Sequence, residues 1–491
     1  MGNAASKIKM PSKGVQVYTY ISAPGDVQID VEVPKQSGVV KDKQRFQSEN
    51  YEVDAAKIKW PINRTGRFKF SVRKNGRVVT EQWMDVDPVT GDVRSNSTMD
   101  NTMLETRSIR DQELVISYGA YEAGSGQVGL PSRHQVYVSV TQDFGAWMGM
   151  VAPPGSEAEK KPFNHLVLPA PHDSGMNSMD TINAIMKHSG VAASTVLAKM
   201  IPFLGKAKDG IAKVIQGMSD ATVSQIAPDI IASLSITQKD TLSTLCFIGA
   251  RYFEFRPAHC HSAILPHSPL PDKLYFQHGP IPGMAYDQFL SDLVLFLAAH
   301  PTEIAVVHVR WDGVPAECAR PSDSELKSYL EAALKMSNGS VKAGSIDDLK
   351  NRTIKELRDS GKRLLFVQND GGVLSTYDDN ANATTNGQSI LQAFDRVLHS
   401  NNQAGKSMTL VQCQATPTNI KDVIYYSVAT TDVSSMVLMA TKPICDSILL
   451  PWARDNIAKR CRGDQLVIMM DDFLDGAVTD VVIGLCKQRL R

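Results

Sequence analysis

The sequence lacks net charge, a long apolar run and an apolar secretory segment. Lys and Arg number 52, and Asp and Glu also number 52, so bulk electrostatic attraction to nucleic acid is disfavoured and we expect no nucleic-acid partner. No run of about 18 consecutive apolar residues occurs, which argues against a transmembrane helix. The N-terminus has no apolar signal-peptide core either. These absences predict a cytoplasmic protein without an integral membrane anchor.

The sequence also lacks a CxxC pair. Its seven cysteines are odd in number and lie in the C-terminal part, at positions 246, 260, 318, 413, 445, 461 and 486. This spacing predicts reduced thiols in an intracellular protein. At 491 residues and 43% hydrophobic content, the chain is long enough for two domains, or for a barrel with an appended module.

The first residues match a lipidation pattern. MGNAASK places Gly2 behind the initiator Met and Ser6 at the favoured position, which predicts N-myristoylation of Gly2; the alternative is an unmodified flexible tail over residues 1–14. One myristoyl chain gives only marginal membrane binding. Lys7, Lys9 and Lys13 would add attraction to anionic lipids. The tail therefore predicts peripheral membrane association.

Residues 15–150 alternate apolar and polar side chains with period two. VQVYTYISA, DVQIDVEV, RFKFSVRKNGRVV, ELVISYGAYE and HQVYVSVTQDFG are separated by Gly, Pro, Asn or Asp, as in short antiparallel strands. Asn75-Gly76 favours a type I′ hairpin turn. We expect an all-β, sandwich-like domain of about seven strands. The pattern does not reveal its role, which leaves an unknown binding partner for this domain as an expectation.

A Pro- and Gly-containing linker over 151–163 leads into residues 164–491, where short apolar strands alternate with helical stretches. That alternation is typical of βα units, and we expect an α/β fold of the TIM-type (β/α) barrel class. One strand is poorly marked, near 432–439. The predicted strands are 165–171, 248–256, 274–278, 303–310, 363–369, 408–414 and 466–472.

A helical insertion is predicted over 178–243. Within it, residues 196–218 mix large apolar side chains with Lys199, Lys206, Lys208 and Lys213. Such a basic amphipathic element is able to touch a membrane surface. The alternative is a helical pair packed over the barrel mouth, with Pro202 interrupting any single long helix.

Four segments carry a titratable or cationic side chain at the end of an apolar strand. They are LVLPAPHDSG, GARYFEFR, LYFQHGP and AVVHVRWDG. Because the carboxyl ends of parallel barrel strands meet at one face, these side chains are expected to converge. Two histidines, an arginine and several carboxylates are the groups that acid/base phosphodiester chemistry requires. The pattern predicts an enzyme.

The same segments resemble the X-domain of phosphatidylinositol-specific phospholipase C and related PLC-like phosphodiesterases. HDSG, GARYFEFR, FQHGP, FLSDLVLFLAAHPTEIAVVHVR and MMDDF occur in the order of the family's motifs, over residues 164–491. The chain looks most similar to the X-domain-only members. The resemblance implies a phosphoric diester hydrolase acting on a phospholipid at a membrane surface.

The resemblance also implies roles for individual residues. His172 would be the general base that activates a substrate hydroxyl, and His278 the general acid for the leaving group. Asp173 would act beside His278, and Arg256 would neutralise the phosphoryl oxygens. The carboxylate that orients His172 would be Asp472 or its neighbour Asp471.

The resemblance also bears on whether the site binds a metal ion and on which residues support Arg256. Calcium-dependent members hold their ion at positions that here are Asp173, Glu254, Arg256 and Arg310. Two of these are cationic and would repel a divalent ion. We therefore expect a metal-independent enzyme without cofactor, in which Glu254 and Arg310 support Arg256.

Substrate specificity is where the sequence departs from the bacterial members of the family. Their ring-binding arginine, aspartate and tyrosine are not retained in kind. Gln368, Gln412 and Gln414 remain as candidate hydroxyl-binding groups. The first expectation is cleavage of phosphatidylinositol to diacylglycerol and a cyclic inositol phosphate. The alternatives are a non-catalytic lipid-binding or adaptor protein and a phosphodiesterase for another headgroup.

Overall fold

The structure is a computed structural model of the chain. It describes residues 14–58, 62, 64–93, 97–99, 106–123, 133–192, 196, 219, 221–222, 231–232, 235–368, 372–378, 381–382, 386–416 and 437–491. The description leaves out residues 1–13, which include Gly2, and nearly all of the basic segment 196–218. The expectations on myristoylation and on that segment therefore stay predictions.

The N-terminal part forms two β-sheets. The first contains, in spatial order, β4 (Gln47–Glu52), β1 (Gly14–Ser22), β9 (His134–Gln142), β8 (Leu114–Tyr121) and β7 (Ile109–Asp111). The second contains β3 (Gln36–Val40), β2 (Val27–Val33), β5 (Gly66–Lys74) and β6 (Arg77–Val86). All pairings are antiparallel except that of β1 with β9. The period-two pattern thus gives strands where it predicts them.

The two sheets share one apolar core. Val15, Val17 and Ile21 of β1 pack in the same cluster as Ile29 of β2 and Phe70 of β5. The residues between them on β1, such as Tyr18 and Tyr20, contact a different cluster that continues into the C-terminal part. β1, β8 and β9 are therefore buried on both faces and lack exposed polar positions, whereas β4 and β7 keep exposed residues.

The C-terminal part contains parallel strands joined by helices. One sheet has the order β10 (Val167–Pro171), β20 (Leu466–Asp471), β19 (Met408–Gln412), β18 (Val373–Ser375). A second has the order β11 (Tyr252–Phe255), β15 (Ala305–Val309), β17 (Leu364–Gln368), β16 (Ala343–Gly344). A small antiparallel sheet consists of β12 (Pro257–Ala258), β13 (Tyr275–His278) and β14 (Ile281–Ala285). Each of the seven predicted strands coincides with one of these.

Eleven helices accompany the strands in the described residues. They are α1 (Trp147–Val151), α2 (Asp180–Ser189), α3 (Leu242–Ile248), α4 (Tyr286–Ala299), α5 (Asp323–Lys335), α6 (Ile346–Asn351), α7 (Ile354–Ser360), α8 (Gly387–Val397), α9 (Ser400–Gln403), α10 (Val437–Arg460) and α11 (Gly476–Arg489). None of these helices is both long and apolar enough to cross a bilayer.

Local sequence explains the ends of several helices. α7 begins at a capping box, in which the Thr353 hydroxyl accepts from the Glu356 N–H and the Glu356 carboxylate accepts from the Thr353 N–H, and it ends at Gly361 with φ +73°. α5 begins at Ser322, whose side chain accepts from the Glu325 N–H. The N-caps fix where the loops before α5 and α7 end and the helices begin.

The C-terminal fold is mixed α/β, but no single closed barrel sheet is detected among the described residues. The two parallel sheets meet where the Arg251 N–H donates to the Pro169 carbonyl at 3.0 Å, joining β11 to β10. Residues 369–371, between β17 and β18, lie outside the described part of the chain. The strand order β10, β11, β15, β17, β18, β19, β20 follows the chain, as in a (β/α) barrel.

Two segments differ from the path that the sequence predicts. The prediction of a strand near 432–439 is wrong for its last residues, because α10 begins at Val437 and buries Leu438 and Met439. Residues 432–436 lie outside the described part of the chain. The segment 151–163 is packed rather than open. Glu159 in it forms a buried ion pair with Arg358 at 2.9 Å, and Phe163 is fully buried.

The β5–β6 hairpin provides a test of the turn assignment. Asn75 has φ +50° and Gly76 has φ +79°, the left-handed values that a type I′ turn requires. We expect Gly76→Ala to lower the free energy of unfolding by about 1 kcal/mol, because a Cβ is strained there. Denaturant titration measures this change.

Gly463→Ala is the matched control. No positive φ is found at Gly463 and a Cβ there meets open space, so this substitution is expected to be neutral or stabilising by about 0.4–1 kcal/mol. Equal effects of the two substitutions would contradict the turn assignment.

Candidate active site

Strand ends bring the predicted site residues together. His172 and Asp472 directly follow β10 and β20, whose last residues Pro171 and Asp471 are paired in register. Arg256 and Arg310 directly follow β11 and β15 in the same way, and His278 ends β13. Because neighbouring parallel strands end at one edge, these side chains share that edge.

Asp173 is the centre of the cluster. Its Oδ1 lies 2.7 Å from Nη2 of Arg256, and its Oδ2 lies 3.4 Å from Nε2 of His278 and 3.8 Å from Nε2 of His172. The carboxylate is buried. Burial alone would raise the pKa of Asp173, but the charges of Arg256 and His172 hold it well below its usual range. One buried anion therefore faces two imidazoles and a guanidinium.

The backbone at Asp173 is in an unfavourable conformation. Its φ is +44°, a left-handed value that is uncommon for a residue other than glycine. Its N–H donates to Oε1 of Glu254 at 3.2 Å. Such strain persists where surrounding contacts hold it, and it is concentrated at functional sites.

Glu254 holds the two arginines. Its Oε1 lies 3.4 Å from Nη2 of Arg256, and its Oε2 accepts from Nη1 of Arg310 at 3.1 Å. Arg310 also pairs with Asp312 at 2.7 Å. A carboxylate that is 1% exposed is thus neutralised on both oxygens, and the planar face of Arg256 is fixed beside Asp173.

His172 pairs with Asp472. The distance from Nδ1 of His172 to Oδ1 of Asp472 is 2.8 Å. Burial acts to lower the pKa of His172, but Asp173 and Asp472 outweigh it and raise the pKa to about 9. Burial raises the pKa of Asp472 to about 6 against the opposing charge of His172. At neutral pH the pair is an imidazolium with a carboxylate.

Asp471 does not face His172 but binds a lysine. Its Oδ2 accepts from Nζ of Lys442 at 2.9 Å, and its Oδ1 accepts from the Asp472 N–H at 3.0 Å. Of the two adjacent aspartates, therefore, Asp472 is the one in contact with the imidazole. Adjacent residues at a strand end point to opposite sides, which accounts for the difference.

His278 has the opposite electrostatic environment. Burial lowers its pKa to about 4, and the attraction of Asp173 does not compensate for burial and for the charges of Arg256 and His172. At neutral pH His278 is neutral. Its buried Nδ1 has no hydrogen-bond partner in the described part of the chain. The two histidines therefore carry one positive charge between them at neutral pH, and in the free protein the additional proton is on His172.

The three candidate glutamines are in different places. Gln368 donates to Asp323 at 2.8 Å on the exposed side of β17. Gln412 donates to Ser375 at 3.2 Å, and the Gln414 amide donates to Oε1 of Gln412 at 2.5 Å. Gln412 and Gln414 are buried beside the site strands, whereas Gln368 is engaged with a helix. The buried Oε1 of Gln414 has no partner among the described residues.

A divalent metal does not fit this cluster. His172, Asp173 and Glu254 have ligand atoms within 4.8 Å of one another, so three donors are close enough. However, the guanidinium of Arg256 already lies 2.7 Å from Asp173 and 3.4 Å from Glu254. A cation among these carboxylates would meet a fixed positive charge.

Sequence patterns did not reveal Thr237, Gln238 and Lys442, which contact the site residues. Gln238 donates to the carbonyl oxygens of His172 and Asp471, each at 3.0 Å. Thr237 donates to the His172 carbonyl at 2.9 Å. These residues lie in no motif, and their partners are backbone carbonyl oxygens or, for Lys442, the Asp446 and Asp471 carboxylates, so only the folded structure identifies them.

Comparisons with known proteins give a distant likeness. No protein-family model matches the sequence, and no curated protein matches it. Solved structures of phosphatidylinositol-specific phospholipase C from Staphylococcus aureus are similar to it. One mutant of that enzyme is 12% identical over 70% of this chain and 98% of its own, with a TM-score of 0.39. Another is 13% identical over 70% of this chain and 96% of its own, with a TM-score of 0.38.

The electrostatic assignment of the two histidines is testable by NMR titration of ¹⁵N-histidine-labelled protein. We expect imidazole pKa values of about 9 for His172 and about 4 for His278. In Asp472→Asn the His172 pKa is expected to fall from about 9 toward 6.5, because a charge and a hydrogen bond that favour the imidazolium are lost.

The matched control is Asp272→Asn, since the Asp272 carboxylate contacts His259 at 3.1 Å instead. It is expected to leave the His172 titration unchanged. A His172 pKa that is insensitive to Asp472→Asn would contradict the pairing.

Proposed function

We propose that the protein is a metal-independent phosphodiesterase that cleaves a glycerophospholipid by acid/base catalysis. Phosphatidylinositol is the proposed substrate, and diacylglycerol and a cyclic inositol phosphate are the proposed products. The observation that carries the proposal is the arrangement around Asp173. Two imidazole Nε2 atoms and a guanidinium converge on one carboxylate, within 3.8 Å.

Each group has a chemical task in this reaction. His172 takes the proton from a ring hydroxyl, whose oxygen attacks phosphorus of the same molecule. The bond from phosphorus to the diacylglycerol oxygen breaks, and His278 gives that oxygen its proton. Arg256 neutralises the charge that develops on the phosphoryl oxygens. Asp472 orients and stabilises the His172 imidazolium that forms.

The proposed reaction starts with a neutral His172 and a protonated His278. The free site has the opposite protonation states. At neutral pH the proton is on His172 rather than on His278. The charge of Arg256 is one cause that lowers the His278 pKa. A phosphodiester anion bound at Arg256 neutralises that charge and adds its own, so it raises the pKa of His278. Substrate binding thereby moves the shared proton toward the general acid.

The proposed location follows from the substrate. A lipid substrate has to be reached at a membrane surface, and peripheral binding through myristoylated Gly2 and nearby lysines would bring the enzyme there. The described residues include no bilayer-spanning helix, so a lipid tether would supply the attachment that the fold itself does not.

A second candidate substrate class is a phospholipid with another headgroup. The glutamine side chains favour it, because Gln368 is bonded to Asp323 and the Gln414 amide to Gln412. Of the three glutamines, Gln414 has a buried side-chain carbonyl oxygen without a partner in the described part of the chain. A headgroup without a neighbouring hydroxyl would need water as nucleophile, and its product would not be cyclic.

The catalytic prediction is tested by phosphorus NMR of the protein with phosphatidylinositol micelles. We expect a cyclic inositol phosphate signal, and a loss of rate of about 10²- to 10⁴-fold in His172→Ala and in His278→Ala, because each removes a proton-transfer group. The exposed His399 gives the control variant His399→Ala, which is expected to keep full rate. An acyclic product would favour the other headgroup class, and absence of turnover on a panel of phospholipids would refute the enzyme assignment.

Metal independence is a separate prediction. Excess EDTA or EGTA is expected to leave the initial rate unchanged, because Arg256 supplies the positive charge beside Asp173. Added calcium is not expected to restore the rate of Arg256→Ala to that of the wild type. Loss of wild-type activity with chelator and its return with calcium would contradict the prediction.

A further inference from the structure

Four consecutive buried residues lie between the candidate active site and the N-terminal sheet. Thr237, Gln238, Lys239 and Asp240 are each at most 4% exposed, although all four have polar or charged side chains that cost free energy to bury unpaired. We refer to residues 237–240 as the bridging segment. Its contacts divide into two pairs that face in different directions.

The first pair holds the backbone of the catalytic strand ends. Thr237 and Gln238 both donate to the carbonyl of His172, at 2.9 and 3.0 Å. Gln238 also donates to the carbonyl of Asp471 at 3.0 Å and accepts from the Leu474 N–H at 3.0 Å. The Thr237 carbonyl accepts from the Phe473 N–H at 2.7 Å. The strand ends that carry His172 and Asp472 are thus fixed to each other through this pair.

The second pair holds the N-terminal sheet. Nζ of Lys239 donates to the carbonyl oxygens of Thr106 and Tyr118. The Asp240 carboxylate accepts from the N–H and the hydroxyl of Ser108, at 2.8 and 2.7 Å. Tyr118 is in β8, and Ser108 directly precedes β7. The bridging segment therefore connects two strands of the first sheet to the catalytic strand ends within four residues.

Lys442 of α10 forms an independent link between the same two parts. Its ammonium donates to Asp471 at 2.9 Å and to Asp446 at 2.7 Å. It also lies 5.7 Å from the ring centroid of Tyr137 in β9. Asp471 in turn accepts from the Asp472 N–H at 3.0 Å. This path runs from β9 through one buried lysine to the carboxylate that pairs with His172.

We propose that the N-terminal sheet is a structural support of the acid/base pair His172–Asp472, and that the bridging segment and Lys442 transmit this support. The role of the N-terminal unit is then positioning within the proposed phosphodiesterase, on which this inference rests. An independent binding module would not need buried charged contacts to reach the strand ends of another unit.

Buried ammonium groups fix the position of the N-terminal strands relative to the site. Two lysines in contact with the N-terminal strands, Lys239 and Lys442, are at most 4% exposed. Each is costly to desolvate, and each therefore requires its oxygen partners at fixed positions. An apolar contact tolerates sliding, whereas these contacts fix the register of β8 and β9 against the catalytic strands. The precision that acid/base catalysis requires is about 0.5 Å.

The test compares Lys239→Met with wild type in the ligand-free full-length protein. The Lys239 ammonium donates to two N-terminal carbonyl oxygens and lies near the rings of Tyr118 and Tyr137, so its loss removes the link without changing a group at the site. We expect the low-field Nδ1–H resonance of His172, in its hydrogen bond to Asp472, to shift or broaden. We also expect kcat to fall about 10- to 100-fold with KM changed less than twofold, as misplacement of catalytic groups produces.

Arg358→Met is the matched control. The Arg358 side chain is 7% exposed and pairs with Glu159 at 2.9 Å, but its contacts are with Thr302, Ala152 and Glu159 rather than with the site. It is expected to lower stability while leaving the His172 resonance and kcat unchanged. Gln238→Leu, which removes the site end of the link, is expected to give the same changes as Lys239→Met.

The positioning role would be overturned by a His172 resonance that is unchanged in Lys239→Met, or that changes equally in Arg358→Met. If Lys239→Met does not fold, Ser108→Ala, which removes the hydroxyl bonds to Asp240 and Ser117 but keeps the N–H bond to Asp240, is expected to shift the resonance less in the same direction; no shift would overturn the proposal. A shifted resonance in a protein inactive on every phospholipid would support the positioning role and refute the proposed function, so the two are separable.

Discussion

The buried carboxylate of Asp173 is the interaction on which the site depends. Without it, Arg256 and the two imidazoles would be cations or bases in a buried volume with no common partner. With it, the charge of Arg256 is held 2.7 Å away, and His172 and His278 are kept on either side. The same arrangement gives the imidazoles opposite pKa shifts, because Asp472 contacts only one of them. One anion thus sets geometry, charge balance and proton distribution together.

The N-terminal sheet is joined to the C-terminal part through charged and polar groups. Strands β1, β8 and β9 of the first sheet are buried on both faces, and Tyr20 of β1 donates to Asp480 of α11 at 2.7 Å. Lys239 and Lys442 reach its strands from the C-terminal part. Burying such groups costs free energy that apolar packing would not. Their presence at this contact is understandable if what they provide is fixed geometry rather than stability.

The sequence predicted those features that depend on neighbouring residues and missed those that depend on residues distant in the chain. Period-two alternation and Asn75-Gly76 gave the N-terminal strands and the hairpin, because both are local. The seven predicted C-terminal strands, of which β13 is antiparallel and the other six are parallel, were marked by apolar runs, as burial within a sheet requires. The strand near 432–439 was wrong where α10 begins at Val437, since a short apolar run does not distinguish a strand from a buried helix. Gln368 donates to Asp323, a partner that no pattern indicates.

The sequence by itself determined which chemical groups stand at strand ends, because strand periodicity and motif order are written in consecutive residues. It left open whether Asp471 or Asp472 pairs with His172, since both follow the same apolar run. Only the tertiary structure decided this, by burying Lys442 next to Asp471 and leaving Asp472 to the imidazole. It alone also revealed the bridging segment, whose partners are backbone atoms more than 60 residues away in the chain. Contacts of that range depend on how strands and helices assemble, and no local pattern encodes them.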